Sequence, residues 1–152
     1  MIYKISCCEK DESLFKEYQS KHCVTFDDFP QNLLLEVSKP WGKESIICLE
    51  GNNSVWSLHI QNGERTSFHC HLKKDVIMIV LNGKVKVKTS IKDFILKPMD
   101  IMIVGKGAFH SIGSVSNKGS KVLEINAPHL LGDLIRVEDK YGREGKTYFP
   151  KN

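Results

Sequence analysis

From about residue 33 onward the chain is a succession of short apolar or alternating runs separated by turn residues. They fall at residues 45–49, 55–60, 67–71, 76–81, 84–89, 93–96, 101–104 and 121–126. Runs of this length, bounded by Gly, Asn, Asp and Pro, read as β-strands rather than helices. Asn82-Gly83 stands between two strong strand patterns and predicts a tight hairpin, because both central residues of that turn need positive φ. Gly51-Asn52-Asn53, Asn62-Gly63, Gly105-Lys106-Gly107 and Asn117-Lys118-Gly119 mark further connections. About eight strands at such spacing predict an all-β barrel or jelly roll, over residues 31–131. Residues 1–30 differ: Ser6 with Glu9 matches a capping box, and the polar stretch to His22 with Leu14, Phe15 and Tyr18 predicts one amphipathic helix, an appendage. Residues 132–152 turn polar and are expected to leave the barrel and lie on its surface or a neighbour's.

Composition narrows the class. The 152 residues are 41% hydrophobic and 26% charged, the balance of one soluble globular domain. The longest apolar run, residues 76–81, is far short of a membrane span, and Met1-Ile2-Tyr3-Lys4 lacks the apolar stretch of a signal peptide, so a cytoplasmic protein is expected. Five cysteines, two of them adjacent and none in paired zinc spacing, argue against a disulfide framework. The net charge of +4 is spread along the chain and does not call for nucleic acid. Lys84, Lys86 and Lys88 alternate with Val85 and Val87 and read as the solvent face of a half-buried strand.

The chemistry concentrates in histidines. His69 and His71 are two apart, which on a strand puts both imidazoles on one face. His110 follows a glycine loop after another strand that a closed barrel can bring alongside. Three imidazoles suit one divalent ion (zinc, iron, manganese or nickel) and leave a position for water or substrate. His59, by contrast, reads as a structural residue.

The spacing resembles the two motifs of the cupin superfamily: Gly63, five residues, His69, one residue, His71 and a strand to Gly83; then Pro98-Met99-Asp100, a strand, Gly107, two residues and His110. The resemblance implies a double-stranded β-helix, a jelly-roll barrel, with these histidines as metal ligands. It also implies a glutamate separated from the closing glycine by six residues, where this chain has Val76. Asp75 is one residue away and serves only if the chain is bulged there. A three-histidine site, a site completed by Asp75 and a barrel without a functional metal are all open.

Lys39-Pro40-Trp41-Gly42-Lys43-Glu44, Leu123-Glu124-Ile125-Asn126 and the stretch from Gly132 to Arg143 resemble the cupin domain of type II mannose-6-phosphate isomerases and their single-domain relatives. What this implies is work on a sugar or sugar phosphate, with aldose–ketose isomerisation or an epimerase-like reaction in the supply of nucleotide sugars for surface polysaccharides. Under that reading Glu124 is the catalytic base. Arg136, Arg143 and Lys43 contact the substrate, and Trp41 stacks on a sugar face, as Trp56 also could. Structural roles stand beside these: Glu124 as a paired residue, Arg136 and Arg143 as anchors on Glu138 and Asp139. A non-catalytic sugar-binding module and an iron centre of the thiol dioxygenase kind are the competing functions. A homodimer is expected, because barrels of this kind close their edges on a second copy.

Overall fold

The computed structural model describes residues 1–18, 36–130 and 132–144. In chain order the elements are β1 (Ile2–Ile5), α1 (Glu9–Tyr18), β2 (Glu36–Lys39), β3 (Gly42–Glu50), β4 (Asn53–Ile60), β5 (Phe68–Cys70), β6 (Asp75–Asn82), β7 (Val85–Thr89), β8 (Phe94–Leu96), β9 (Ile101–Val104), β10 (His110–Ser114), β11 (Ser120–Ala127) and β12 (Ile135–Glu138). They form a seven-stranded sheet, β1-β9-β6-β11-β4-β3-β2, facing a five-stranded sheet, β12-β5-β10-β7-β8. This is the all-β jelly roll that the run lengths predict.

Alternation decides which side chains fill the space between the sheets. Leu58, Ile60, Val76, Met78 and Val80 from the large sheet meet Val85, Val87 and Ile112 from the small one, all buried. Each such side chain contributes about 1.5–3 kcal/mol relative to exposure. Val85 and Val87 are fully buried, whereas Lys86 pairs with Asp93 at 2.7 Å and Lys88 with Glu138 at 2.6 Å on the outside. The lysine stripe is a solvent face.

Asn82-Gly83 does not close a hairpin between its flanking strands. β6 pairs with β9 and β11, β7 with β8 and β10, so the turn carries the chain from one sheet to the other. Glycine is still required: its φ is 75°, and a Cβ would lie 2.6 Å from Ser120 Oγ and 2.7 Å from Gly119 O. The turn is held by Lys84 N–H on Ser116 Oγ (2.7 Å) and by the Ser120 hydroxyl on Lys84 O (2.9 Å). The local signal is right about the turn and silent about what pairs across it.

Both ends of the described chain are more involved than expected. β1, ahead of the helix, adds a parallel strand to β9. The helix begins at Glu9, with the Cys8 N–H capped by Asp11 Oδ2 at 2.9 Å in place of the Ser6–Glu9 box, and residues 19–22 of the expected helix lie outside the described residues. Asp11 Oδ1 also accepts from the Ser90 hydroxyl and from Phe109 N–H at 3.3 Å, so one buried carboxylate docks the helix on the barrel. Leu14 and Phe15 then cover Phe68, Cys70, Phe109, Ile135 and Val137 on the outer face of the small sheet. Residues 135–138 of the expected surface tail are a strand of that sheet, paired with β5. Its apolar positions, Ile135 and Val137, are buried outward under the helix, which is why a polar average hid them. Residues 145–152 lie outside the described residues.

Candidate metal centre and its cavity

Strand register assembles the site. His110 is the antiparallel partner of His69, and Arg136 is the partner of His69 on the other side, so Arg136, His69 and His110 form one row across the small sheet. Phe68 and Cys70, the neighbours of His69, face outward under α1, which leaves β5 buried on both faces and His69 pointing into the barrel. His71 follows at the end of β5. The ligand nitrogens of His69, His71 and His110 all lie within 4.8 Å of one another, and the rings are 4.6 to 5.7 Å apart.

The hydrogen bonds set the tautomers. His69 Nδ1 is 2.8 Å from Ser67 O, His110 Nδ1 is 3.1 Å from Ala108 O, and His71 Nδ1 meets Asp133 O. A carbonyl only accepts, so each Nδ1 carries the hydrogen and each Nε2 keeps its lone pair. Such backbone support of the second ring nitrogen is typical of metal-binding histidines. His71 is gripped further: Gly107 N–H donates to its carbonyl at 2.7 Å, and the Asp133 carboxylate takes the N–H groups of Leu72 (3.0 Å) and Lys73 (2.8 Å). Three neutral, oriented imidazoles with free Nε2 lone pairs are a donor set that a zinc-like divalent ion fits.

Burial pushes the pKa of His69 and His71 well below the ordinary 6.5, and that of His110 to about 4. The folded protein thus holds all three uncharged while the unfolded chain takes protons from about pH 6.5 downward. Their contribution to stability is full above that pH and is lost as pH falls toward 4. For metal-free protein, urea midpoints are expected to be level between pH 7 and 8 and to drop steadily between 6.5 and 4.5. A flat profile across that window would mean the histidines protonate as freely folded as unfolded.

His69 and His71 open onto a cavity of about 170 Å³, and His110, buried beside them, is not part of its wall. The cavity wall also includes Trp41, Trp56, Glu124, Arg136 and Arg143. Glu124 belongs to the row Met78, Glu124, Trp56, Ile46 of the large sheet, one carboxylate among apolar inward positions, and it accepts from Asn126 Nδ2 at 3.1 Å. Arg143 is bound twice to Asp139, at 2.7 Å from both Nε and Nη2, and its carbonyl accepts from Arg136 Nη1 at 2.9 Å. Of the two expected anchors, Asp139 is held by Arg143. Glu138 goes to Lys88 instead.

Two expected residues are elsewhere. Lys43 is on the outer side of β3, with its Nζ on Glu36 at 2.9 Å. Asp75 is exposed at the start of β6 and accepts from Lys106 N–H at 3.0 Å, while Val76 beside it is fully buried in the core. No bulge interrupts the pairing of residues 76–79 with β9, so the parity of the strand keeps Asp75 outside. His59 is exposed on β4.

Other residues of the wall were not anticipated. Lys39 and Glu44 form a 2.7 Å ion pair there, and His129 stacks on Trp56 with its Nδ1 2.8 Å from Ser54 Oγ. Asp133, 1% exposed, and Lys74 also face the cavity. Lys39, Glu44 and Asp133 lie within the motif stretches. Lys74, in a Lys-Lys pair, carries no signal and reads as solvated.

A family model described as mannose-6-phosphate isomerase C-terminal matches residues 27–139. A mannose-1-phosphate guanylyltransferase of Klebsiella pneumoniae is 28% identical over 110 residues, 71% of this chain and 23% of that protein. The chain therefore spans less than a quarter of that relative's length. Among solved structures, the capsular polysaccharide assembling protein CapF of Staphylococcus aureus superposes with a TM-score of 0.63 at 15% identity, over 70% of this chain and 35% of that one. A sugar phosphate isomerase of the cupin superfamily from Silicibacter pomeroyi gives 0.50 at 15%, over 55% and 58%. At these identities the structures speak for the cupin fold.

Proposed function

Because the chain belongs to the mannose-6-phosphate isomerase C-terminal family, we propose that it is a metal-dependent cupin that interconverts aldose and ketose forms of a sugar phosphate. The observation that carries this is the convergence of three Nδ1-anchored imidazoles, two of which, His69 and His71, line the same cavity as Glu124. A divalent ion on the three Nε2 atoms would supply a Lewis acid for a carbonyl oxygen. Glu124, held by Asn126, is the group that moves a proton between adjacent carbons. Arg136 and Arg143 supply positive charge for an anionic end, with Arg143 oriented by Asp139. Trp41 and Trp56 offer apolar faces to a sugar ring.

The test is exchange between aldose and ketose phosphates followed by NMR on the purified protein. Turnover is expected on at least one hexose or pentose phosphate, stopping on chelation and returning with added metal. No conversion by metal-loaded protein across a broad panel would reject the enzyme reading. One observation favours a second, non-catalytic sugar-binding reading: core residue Val76 stands where the superfamily motif has a carboxylate. That reading predicts ligand-induced stabilisation without turnover.

A further inference from the structure

Lys74 lies in the turn between β5 and β6, is 9% exposed and lines the cavity. The charges of Glu124, Asp133 and Glu44 act on it, and burial pushes its ammonium below the ordinary lysine range. A buried cation among three carboxylates would ordinarily be a paired structural group. Here each carboxylate is engaged elsewhere: Glu44 with Lys39 at 2.7 Å, Glu124 with Asn126, and Asp133 with the N–H groups of Leu72 and Lys73. Among the described residues no ion pair or hydrogen bond includes the Lys74 ammonium. Its charge also reaches His71, His110 and His129, so it stands within range of both the histidine cluster and Glu124.

Asn126 carries the complementary vacancy of partners. It is 2% exposed and lines the same cavity. Glu124 can only accept, so the amide nitrogen must face it, and the amide oxygen is left buried with no partner among the described residues. An unpaired buried acceptor is costly and marks a place where a ligand hydrogen belongs.

We propose that Lys74 and Asn126 form a two-point subsite for the α-hydroxycarbonyl portion of the ligand, Lys74 Nζ donating to the carbonyl oxygen and Asn126 Oδ1 accepting from the neighbouring hydroxyl. This rests on the sugar-phosphate reading and adds to it the residues that recognise the reacting carbons. When the Glu124 carboxylate takes the carbon-bound hydrogen as a proton, the C–H electron pair becomes the C=C bond. The carbonyl π pair moves onto oxygen, and the negative charge grows where Lys74 meets it.

Calorimetric titration of the purified protein with arabinonate 5-phosphate and arabinitol 5-phosphate tests this. The first presents an oxyanion at the carbonyl position and the second does not. Wild type is expected to prefer the aldonate by about ten- to hundredfold, the range of a hydrogen bond to a charged group. K74M should lower that preference about tenfold with the alditol affinity unchanged, the remainder staying with the metal site, and N126L should weaken both probes by about tenfold. The melting temperature of K74M should hold or rise, since a buried charge without an ion pair is removed. A lower melting temperature with the preference intact would make Lys74 a structural counter-ion and overturn the subsite. Equal binding of both probes by wild type would also overturn it. Binding of neither probe would instead remove the sugar-phosphate reading on which it rests.

Discussion

Changing His69 and His71 together to alanine is expected to take the protein from near one equivalent of bound divalent metal to none, with turnover lost alongside. Two of three converging imidazoles disappear, and the remaining one, His110, is not part of the cavity wall. Outer-shell partners of metal sites typically carry 10–100-fold in affinity each, and direct ligands more, so a combined loss above about 10⁴-fold is expected. Metal analysis of protein purified without chelators or a histidine tag reads the result. D75N is the matched control: its carboxylate caps Lys106 N–H on the outside, so metal content should stay at the wild-type level. A D75N protein stripped of metal would restore the carboxylate-completed site. A double-alanine protein that keeps its metal would mean that the ion is bound elsewhere.

The second large effect is expected for Glu124→Gln. Glutamine keeps the shape and an oxygen that accepts from Asn126 Nδ2, and removes the carboxylate's charge with its capacity to take up a proton. Proton transfer by a positioned group contributes about 10²–10⁴-fold, and turnover should fall by that factor while metal content and melting temperature remain near wild type. Steady-state kinetics with thermal melts distinguish the roles. Unchanged turnover with a shifted melting temperature would leave Glu124 as a structural partner in the Asn126 and Lys74 cluster.

Of the candidate residues, those on strands were readable because a strand writes its geometry into alternation. His69 and His71 flank Cys70, and Glu124 flanks Leu123 and Ile125, so each assignment to the inner face required only parity. Asp75 obeys the same parity in the opposite sense, which is why it stays outside while Val76 enters the core. Lys43 lies away from the cavity wall for a related reason: its motif is right about the segment, but in that segment Trp41 turns inward and Lys43 pairs with Glu36 on the outside. Gly42 needs to be glycine because a Cβ would come 1.9 Å from His59 O, a contact between strands that no local pattern reveals.

By itself, the sequence was enough to determine the strand periodicity, the turn glycines, the all-β class and the inward direction of the clustered histidines, since all of these follow from local backbone geometry. Tertiary structure alone decided that Asn82-Gly83 crosses between sheets, that β1 and β12 complete those sheets and that α1 covers one of them. It also decided that Lys74, Asp133 and Asn126 are buried around one cavity. Pairing partners and the burial of polar side chains depend on which distant segments arrive beside them, and that is a property of packing across the whole chain rather than of neighbouring residues.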